Sequence, residues 1–413
     1  MGLGKDAFWQ IEKETTYGTA IAARCKSELE SEDLQIDVDD IEDTSLYAGR
    51  TARAFYQGGV RFTGPVSVRL NYEGIILKLL EGALWSASSA LVASETFIRD
   101  HTIKEGATSP SYTIEMSKAN VPTAKVIRGL GAAVKSLTLR GGVGDESLCH
   151  AEAEFLGTDL DPNTGATPAG YDPTISFTVA SCTLSGSSAI ITTSNDFLTA
   201  GVKIGMAVTG TGITAGSFVG RITSATSMTV VDATGTPLNI TTPGTVTLTF
   251  TLGYPFIWPV LGKHVITLNN GVTSASYPGG ALRVRSWEVK IDNPLAERFY
   301  LGAANTDLPL PDSRTQVTWT LEEEYQDLKA FQAARLFTDT APKIIFQDPT
   351  VILGAAAGSK REFELRSNKA RCKYSNPVNK YGVILATTTH RAYYDTVDAS
   401  AIVARVRNSD GNV

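Results

Sequence analysis

Short runs in which apolar and polar residues alternate recur along most of the chain. Leu34, Ile36 and Val38 alternate with polar neighbours, as do Val66, Val68 and Leu70, so each run predicts a strand with one buried face. Tyr112 to Met116, Val134 to Leu139 and Leu148 to Phe155 continue the series. Tyr72, Ile75, Ile76, Leu79, Leu80 and Ala83 instead fall at helical spacing and predict one helix with an apolar stripe facing a sheet.

A constant shift of 253 residues lays the first part of the chain over the last. Asp39 then meets Asp292, Tyr47 meets Tyr300, Gly49 meets Gly302, Arg61 meets Arg314 and Tyr72 meets Tyr325. The alternation agrees: Leu34, Ile36 and Val38 fall on Trp287, Val289 and Ile291, and Val66, Val68 and Leu70 on Trp319, Leu321 and Glu323. Tyr325, Leu328, Phe331 and Leu336 form a poorer helical stripe, interrupted by Gln332 and Arg335, which predicts a second helix buried less deeply. Phe363 to Leu365, Val383 to Leu385 and Ile402 to Val406 supply later strands. The two parts read as a duplication that offers the same sheet edges to its neighbours, which is a route to a ring.

Composition marks a third segment. From about Pro173 to Leu252 the charged residues are Asp196, Lys203, Arg221 and Asp232, and Trp and Tyr are absent. Thr, Val and Ile runs at 188–193, 207–209, 227–231 and 245–250 alternate with Gly and Ser turns, which predicts a small inserted β-sandwich or barrel. The chain is too long for one ordinary core. The expected domains are 1–172, 173–252 and 253–413, in a mainly β fold: two tandem β-sandwich or half-barrel modules with one α-helix each, and an inserted small β-sandwich.

Charge and chemistry narrow the function. The net charge of −6 offers no basic footprint for a phosphate backbone. Cys25, Cys149, Cys182 and Cys372 lie far apart without CxxC spacing, against a zinc site or a disulfide framework and in keeping with a reducing cytoplasm. The first residues lack an apolar export segment, and no apolar stretch reaches membrane-spanning length, so neither export nor membrane insertion is expected. His101, His150, His264 and His390 are scattered, and Cys149 and His150, adjacent on a strand, point to opposite faces. The glycines at 141, 142 and 144 read as a hairpin turn, and no Lys-Ser/Thr closes a nucleotide loop. No catalytic, cofactor or metal residue is assigned. The acidic cluster from Glu28 to Asp43 and the run Glu322 to Glu324 read as a solvated face, with a glycosidase carboxylate pair as the alternative.

Glu14 to Ala20 reads ETTYGTA, and this motif resembles the tail tube proteins of long-tailed bacteriophages, of the type with two tube-like modules. Ser31-Glu32, Leu34 to Ile36, Thr63 to Val68, Tyr72 to Gly74, Gly131 to Leu139, Val289 to Asn293 and Phe299 to Gly302 carry the likeness further. The insert departs from that pattern and resembles the immunoglobulin-like or decoration modules of phage virions. The resemblance implies a structural, non-enzymatic protein of the virion tail, assembled in the host cytoplasm. It further implies that copies of the chain form rings of three with pseudo-sixfold symmetry, and that the stacked rings make the conduit for genome delivery. The implied partners are the tape measure, tail terminator and baseplate proteins, with DNA in transit and host-surface glycans at the insert. A terminator or baseplate ring of the same fold is the alternative, and a carbohydrate-active tail protein a more distant one. Asp37, Asp39, Glu322 and Glu324 are the expected lumen residues, where negative charge repels DNA. Tyr47, Gly49, Arg50, Arg53, Phe55, Tyr300, Gly302 and Leu308, in the connections 41–60 and 294–313, are the expected contacts to the next ring.

Overall fold

The computed structural model describes residues 8–408 apart from 22–24, 44–53, 73, 93–97, 118–125, 143–147, 162–175, 187, 198–199, 201, 203–205, 233–235, 241, 252–262, 270–275, 278–283, 301–304, 326–328, 353–359, 376 and 381–382. The first part holds β1 (Phe8–Lys13), β2 (Cys25–Glu28), β3 (Ser31–Glu32), β4 (Gln35–Glu42), β5 (Phe55–Arg69), α1 (Ile75–Leu84), β6 (Trp85–Leu91), β7 (Arg99–Glu105), β8 (Tyr112–Ser117), β9 (Val126–Gly142), β10 (His150–Gly157) and β11 (Asp159–Asp161). The middle holds β12 (Ser176–Leu184), β13 (Ile190–Thr193), β14 (Ala207–Thr209), β15 (Ser217–Ser224), β16 (Ser227–Val231) and β17 (Gly244–Thr251). The last part holds β18 (Lys263–Asn269), β19 (Ser276–Tyr277), β20 (Val284–Asp292), β21 (Leu295–Ala296), β22 (Leu310–Pro311), β23 (Gln316–Glu324), α2 (Lys329–Arg335), β24 (Asp339–Ile352), β25 (Lys360–Arg366), β26 (Ala370–Tyr374), β27 (Val378–Lys380), β28 (Val383–Ala392) and β29 (Val403–Asn408).

The mainly β expectation holds, and the repeat is visible in strand order. In the first part a hairpin, β4–β5, is followed by α1 and by a returning pair, β9–β10, whose second strand joins β5. In the last part the hairpin is β20–β23, the helix α2, and the returning pair β26 and β28, with β28 joining β23. The constant shift keeps the inward faces but not the pairing. Val66 lies opposite Glu32 and Phe62 opposite Ile36, whereas Trp319 lies opposite Val289, so the first hairpin has slid by four residues relative to the second. An even slide preserves which side chains face the core, which is why alternation alone could not register it.

The two parts are not separate bodies. β9 pairs with β20 from Ser136–Asp292 to Gly142–Ser286, making one antiparallel wall in the order β4, β5, β10, β9, β20, β23, β28, β26. A second sheet backs this wall and crosses the same boundary, with β7 of the first part paired to β29 of the last. One hydrophobic cluster fills the space between and draws on both parts, from Trp9, Phe62 and Phe155 to Trp319, Phe346 and Phe363.

α1 departs from the amphipathic expectation: all ten of its residues are buried, Lys78 and Glu81 included. β1 covers the side that the pattern left for solvent, and there Lys78 pairs with Glu12 at 3.0 Å and Glu81 with Lys13 at 2.6 Å. Partnered charges of this kind tolerate burial where lone ones do not. α2 is shallow, with Phe331, Leu336 and Phe337 exposed.

Residues 176–251 form a closed barrel in the order β12, β13, β16, β15, β14, β17, which decides between the two expected forms, sandwich or barrel, in favour of the barrel. Closure follows from β17 pairing with both β12 and β14. The barrel has its own core around Phe197 and Phe250, and Ile98, in the connection between β6 and β7, is fully buried in that core.

Candidate functional site

Among the described residues the wall has one internal seam and two borders that are free over most of their length, and the contrast between them locates the candidate surface. At the seam the core-facing Trp287, Val289 and Ile291 of β20 are 3%, 0% and 0% exposed. They lie opposite Gly141, Leu139 and Leu137 of β9. Gly141 is required here: a Cβ would stand 2.9 Å from both the Trp287 indole nitrogen and the Cys149 sulfur. Asn293, just past β20, ties the seam to the helix by donating from Nδ2 to the Ala83 carbonyl at 2.8 Å.

The first border is β4, exposed at every position. Its core-facing Ile36 and Val38 are 50% and 37% exposed although they continue the pattern that is buried in β20. Among the described residues no strand lies beyond β4, while β20 has β9. The second border is β26 continued by β27, which stands to β28 as β9 stands to β10; Ala370 and Arg371 at its start pair with Thr340 and Asp339 of β24, and the rest has no further partner strand among the described residues. Half-buried Cys372 and Tyr374 occupy the places that Leu137 and Leu139 hold on β9, and Val378 is exposed. Unpaired borders with exposed apolar side chains invite another chain.

Asp37 and Asp39 lie on the face of β4 turned away from the core, and Glu322 and Glu324 on the matching face of β23. The structure therefore puts all four on one face of the wall, but not as a bare negative surface. Arg61 reaches Asp37 at 2.6 Å, Asp39 at 3.0 Å and Glu297 at 3.2 Å. Glu322 accepts from Ser286 at 3.4 Å, and Arg285 stands 3.9 Å from Glu324. Sequence reasoning matched Arg61 to Arg314 without giving either a role; their recurrence at one shift was the available signal.

Of the expected ring-to-ring residues, Phe55 and Tyr300 are exposed and Leu308 is half-buried, while Tyr47, Gly49, Arg50, Arg53 and Gly302 lie outside the described residues. Much of the expected connection 41–60 is in fact the two arms of the β4–β5 hairpin.

The ETTYGTA motif is a structural hub. The buried Glu14 carboxylate accepts from the backbone N–H groups of Gly18 (2.8 Å) and Gly131 (2.9 Å) and from the hydroxyls of Ser111 (2.8 Å) and Thr113 (3.1 Å). Burial pushes the Tyr17 hydroxyl up to about 12, and that hydroxyl donates to the Thr306 carbonyl in the last part of the chain. The motif thus fastens the two parts together.

The histidines find separate structural places: His101 beside Asn408 at 2.9 Å, His150 beside Glu30 at 2.8 Å and His390 beside Thr340 at 2.9 Å. The side chain of His264 lies outside the described residues. Burial raises the Cys149 thiol far above its ordinary range, so this sulfur is a packing atom.

A family model described as phage tail tube protein matches residues 4–253. The chain belongs to the phage tail tube protein family. The match takes in the first part of the tube protein together with the barrel and ends before the last part, whose kinship to the first rests on strand order and on the repeat. No match was found among curated proteins. Membership makes the chain a structural component of a virion tail. Among the described residues no helix is long and apolar enough to cross a membrane.

Proposed function

We propose that this tube protein polymerises with copies of itself, three chains to a ring and ring upon ring, into the hollow conduit through which the phage genome is delivered. The seam between β9 and β20 carries the reading: it is a worked example, inside one chain, of how two modules join border to border. All wall pairings are antiparallel and each chain supplies eight strands, an even number. The β26 border of one copy therefore meets β4 of the next with the polarity that β9 presents to β20.

Three chains give a wall of 24 strands, with a circumference of roughly 115 Å at about 4.8 Å per strand and more once the strands tilt. That leaves room for a nucleic-acid duplex after side chains are counted. With the core packed outside the wall, Asp37, Asp39, Glu322 and Glu324 face the channel. There they are interleaved with Arg61 and Arg285, so passing DNA meets no continuous basic track and sheds few counterions.

The connection between β4 and β5, with Tyr47, Gly49, Arg50 and Arg53, is assigned to the next ring, together with Tyr300, Gly302 and Leu308. The ends of the tube meet terminator and baseplate proteins, and the tape measure protein occupies the channel before DNA does. Assembly takes place in the host cytoplasm. The barrel stands outside the wall, where a Thr- and Ser-rich surface suits weak contact with host glycans.

Negative-stain microscopy of the purified protein tests this. Hollow tubes with threefold rings that look sixfold are expected. Single rings that never stack would make the protein a terminator or baseplate component, and a stable monomer at high concentration would overturn the reading.

A further inference from the structure

The segment following β20 does more than connect β20 to β23. It doubles back as a strap over the first module. Glu297 reaches the Arg61 guanidinium at 3.2 Å, and the Thr306 N–H donates to the Val60 carbonyl at 3.3 Å. The Phe299 ring lies so close to Gly59 that a Cβ there would stand 2.3 Å from it. Gly59 to Arg61, at the outer end of β5, is thus a receptor for a strap carrying a carboxylate and an aromatic ring.

The last module repeats part of that receptor, with Asp312 where the first has Gly59, and among the described residues no strap crosses it. Arg314 repeats Arg61 and Ser313 repeats Val60 at the shift of 253. Both are exposed, and with Trp85, Glu105, Arg391 and Tyr393 they line a cleft of about 850 Å³ between the end of α1 and the start of β23. The counterpart of the strap in the first module is the β4–β5 arm. That arm stands away from its own core with Ile41, Phe55 and Tyr56 exposed. It also carries the carboxylates Asp40 and Glu42 at its base, just past Asp39, the counterpart at the shift of 253 of Asp292 at the end of β20.

We infer that the β4–β5 arm of each copy lies in the Arg314 cleft of the neighbouring copy in the same ring, with an Asp40 or Glu42 carboxylate on the Arg314 guanidinium. The inference rests on the ring reading above and adds to it a lateral clasp. Border pairing joins the walls; the clasp repeats between chains what the strap does within one. Opposite charges favour the contact, and the apolar side chains of the arm gain the cover they lack in the single chain.

A double variant, Glu42→Cys with Ser313→Cys, in a Cys25→Ser, Cys372→Ser background tests the clasp under mild oxidation. Closure around a ring of three yields covalent trimers on a non-reducing denaturing gel, lost on reduction. Ladders running past the trimer would put the arm in the next ring, and intact tubes without covalent oligomers would take it out of the cleft. Either result overturns the clasp and leaves the tube reading standing. A wild-type protein that forms no rings overturns both. Arg314→Glu in the otherwise native chain is expected to raise the concentration needed for assembly about tenfold, as loss of one interfacial ion pair would, with its melting curve unmoved; assembly at the wild-type concentration would count against the clasp.

Discussion

At the scale of single residues, two buried groups set how firmly the subunit is held. Glu14 accepts four hydrogen bonds from groups that nothing else nearby replaces. Removing it strands two backbone donors, and bonds to a charged acceptor are each worth about 1.5–3 kcal/mol. Glu14→Ala should therefore lose about 3 kcal/mol or more in a denaturant titration, and Glu14→Gln distinctly less. His390 works through pH. Burial lowers its pKa to about 4, and its Nε2 has no partner. The unfolded chain takes up this proton below about 6.5 and the folded one only near 4. The stability contribution is complete above pH 6.5 and falls away as the pH drops to 4, by up to about 3 kcal/mol. His390→Leu should flatten that slope in thermal melts between pH 7 and 4, since Thr340 retains the Ala370 carbonyl as acceptor. An unchanged slope would point to another group.

At the scale of elements, two strands of one pattern meet opposite fates. Val289 sits at the closed seam and Ile36 at the open border. A carboxylate at position 289 would be buried without a partner, so Val289→Asp should unfold the subunit, at a cost of about 4 kcal/mol or more. Ile36→Asp should leave the melting temperature of the isolated chain where it was and abolish tubes in the microscope. If both variants melted alike, the border at β4 would not be open in the isolated chain. The helices teach the same lesson from the other side. The spacing of Tyr72 to Ala83 was enough to predict α1, yet not that β1 would cover its far side, because that cover comes from more than sixty residues away. In α2 the interruptions at Gln332 and Arg335 announced the shallow packing directly.

At the scale of the molecule, the barrel is joined to the wall through more than its linkers. Ile98 is sealed inside the barrel core, and Val92 packs against that core. Deleting residues 174–252 alone should leave a sticky subunit that aggregates. The same deletion with Ile98→Ser should give soluble protein that still forms tubes, measured by sedimentation and microscopy. Failure of that second variant to assemble would make the barrel part of the tube rather than an appendage.

The alternation of apolar and polar residues determined the strands, their inward faces, the two helices and the kinship of the two parts, because side-chain period is a local property written directly in the chain. The family motif was legible too, though not its role, since the partners of Glu14 lie about a hundred residues away at Ser111, Thr113 and Gly131. Tertiary structure alone decided the register of the first hairpin, because a slide by an even number leaves every inward face unchanged. It alone decided that the two parts share one wall and one core, that the barrel closes, and that Arg61 holds a strap while Arg314 waits in an open cleft. Those outcomes depend on which distant borders meet, and local pattern makes a border available without choosing its partner.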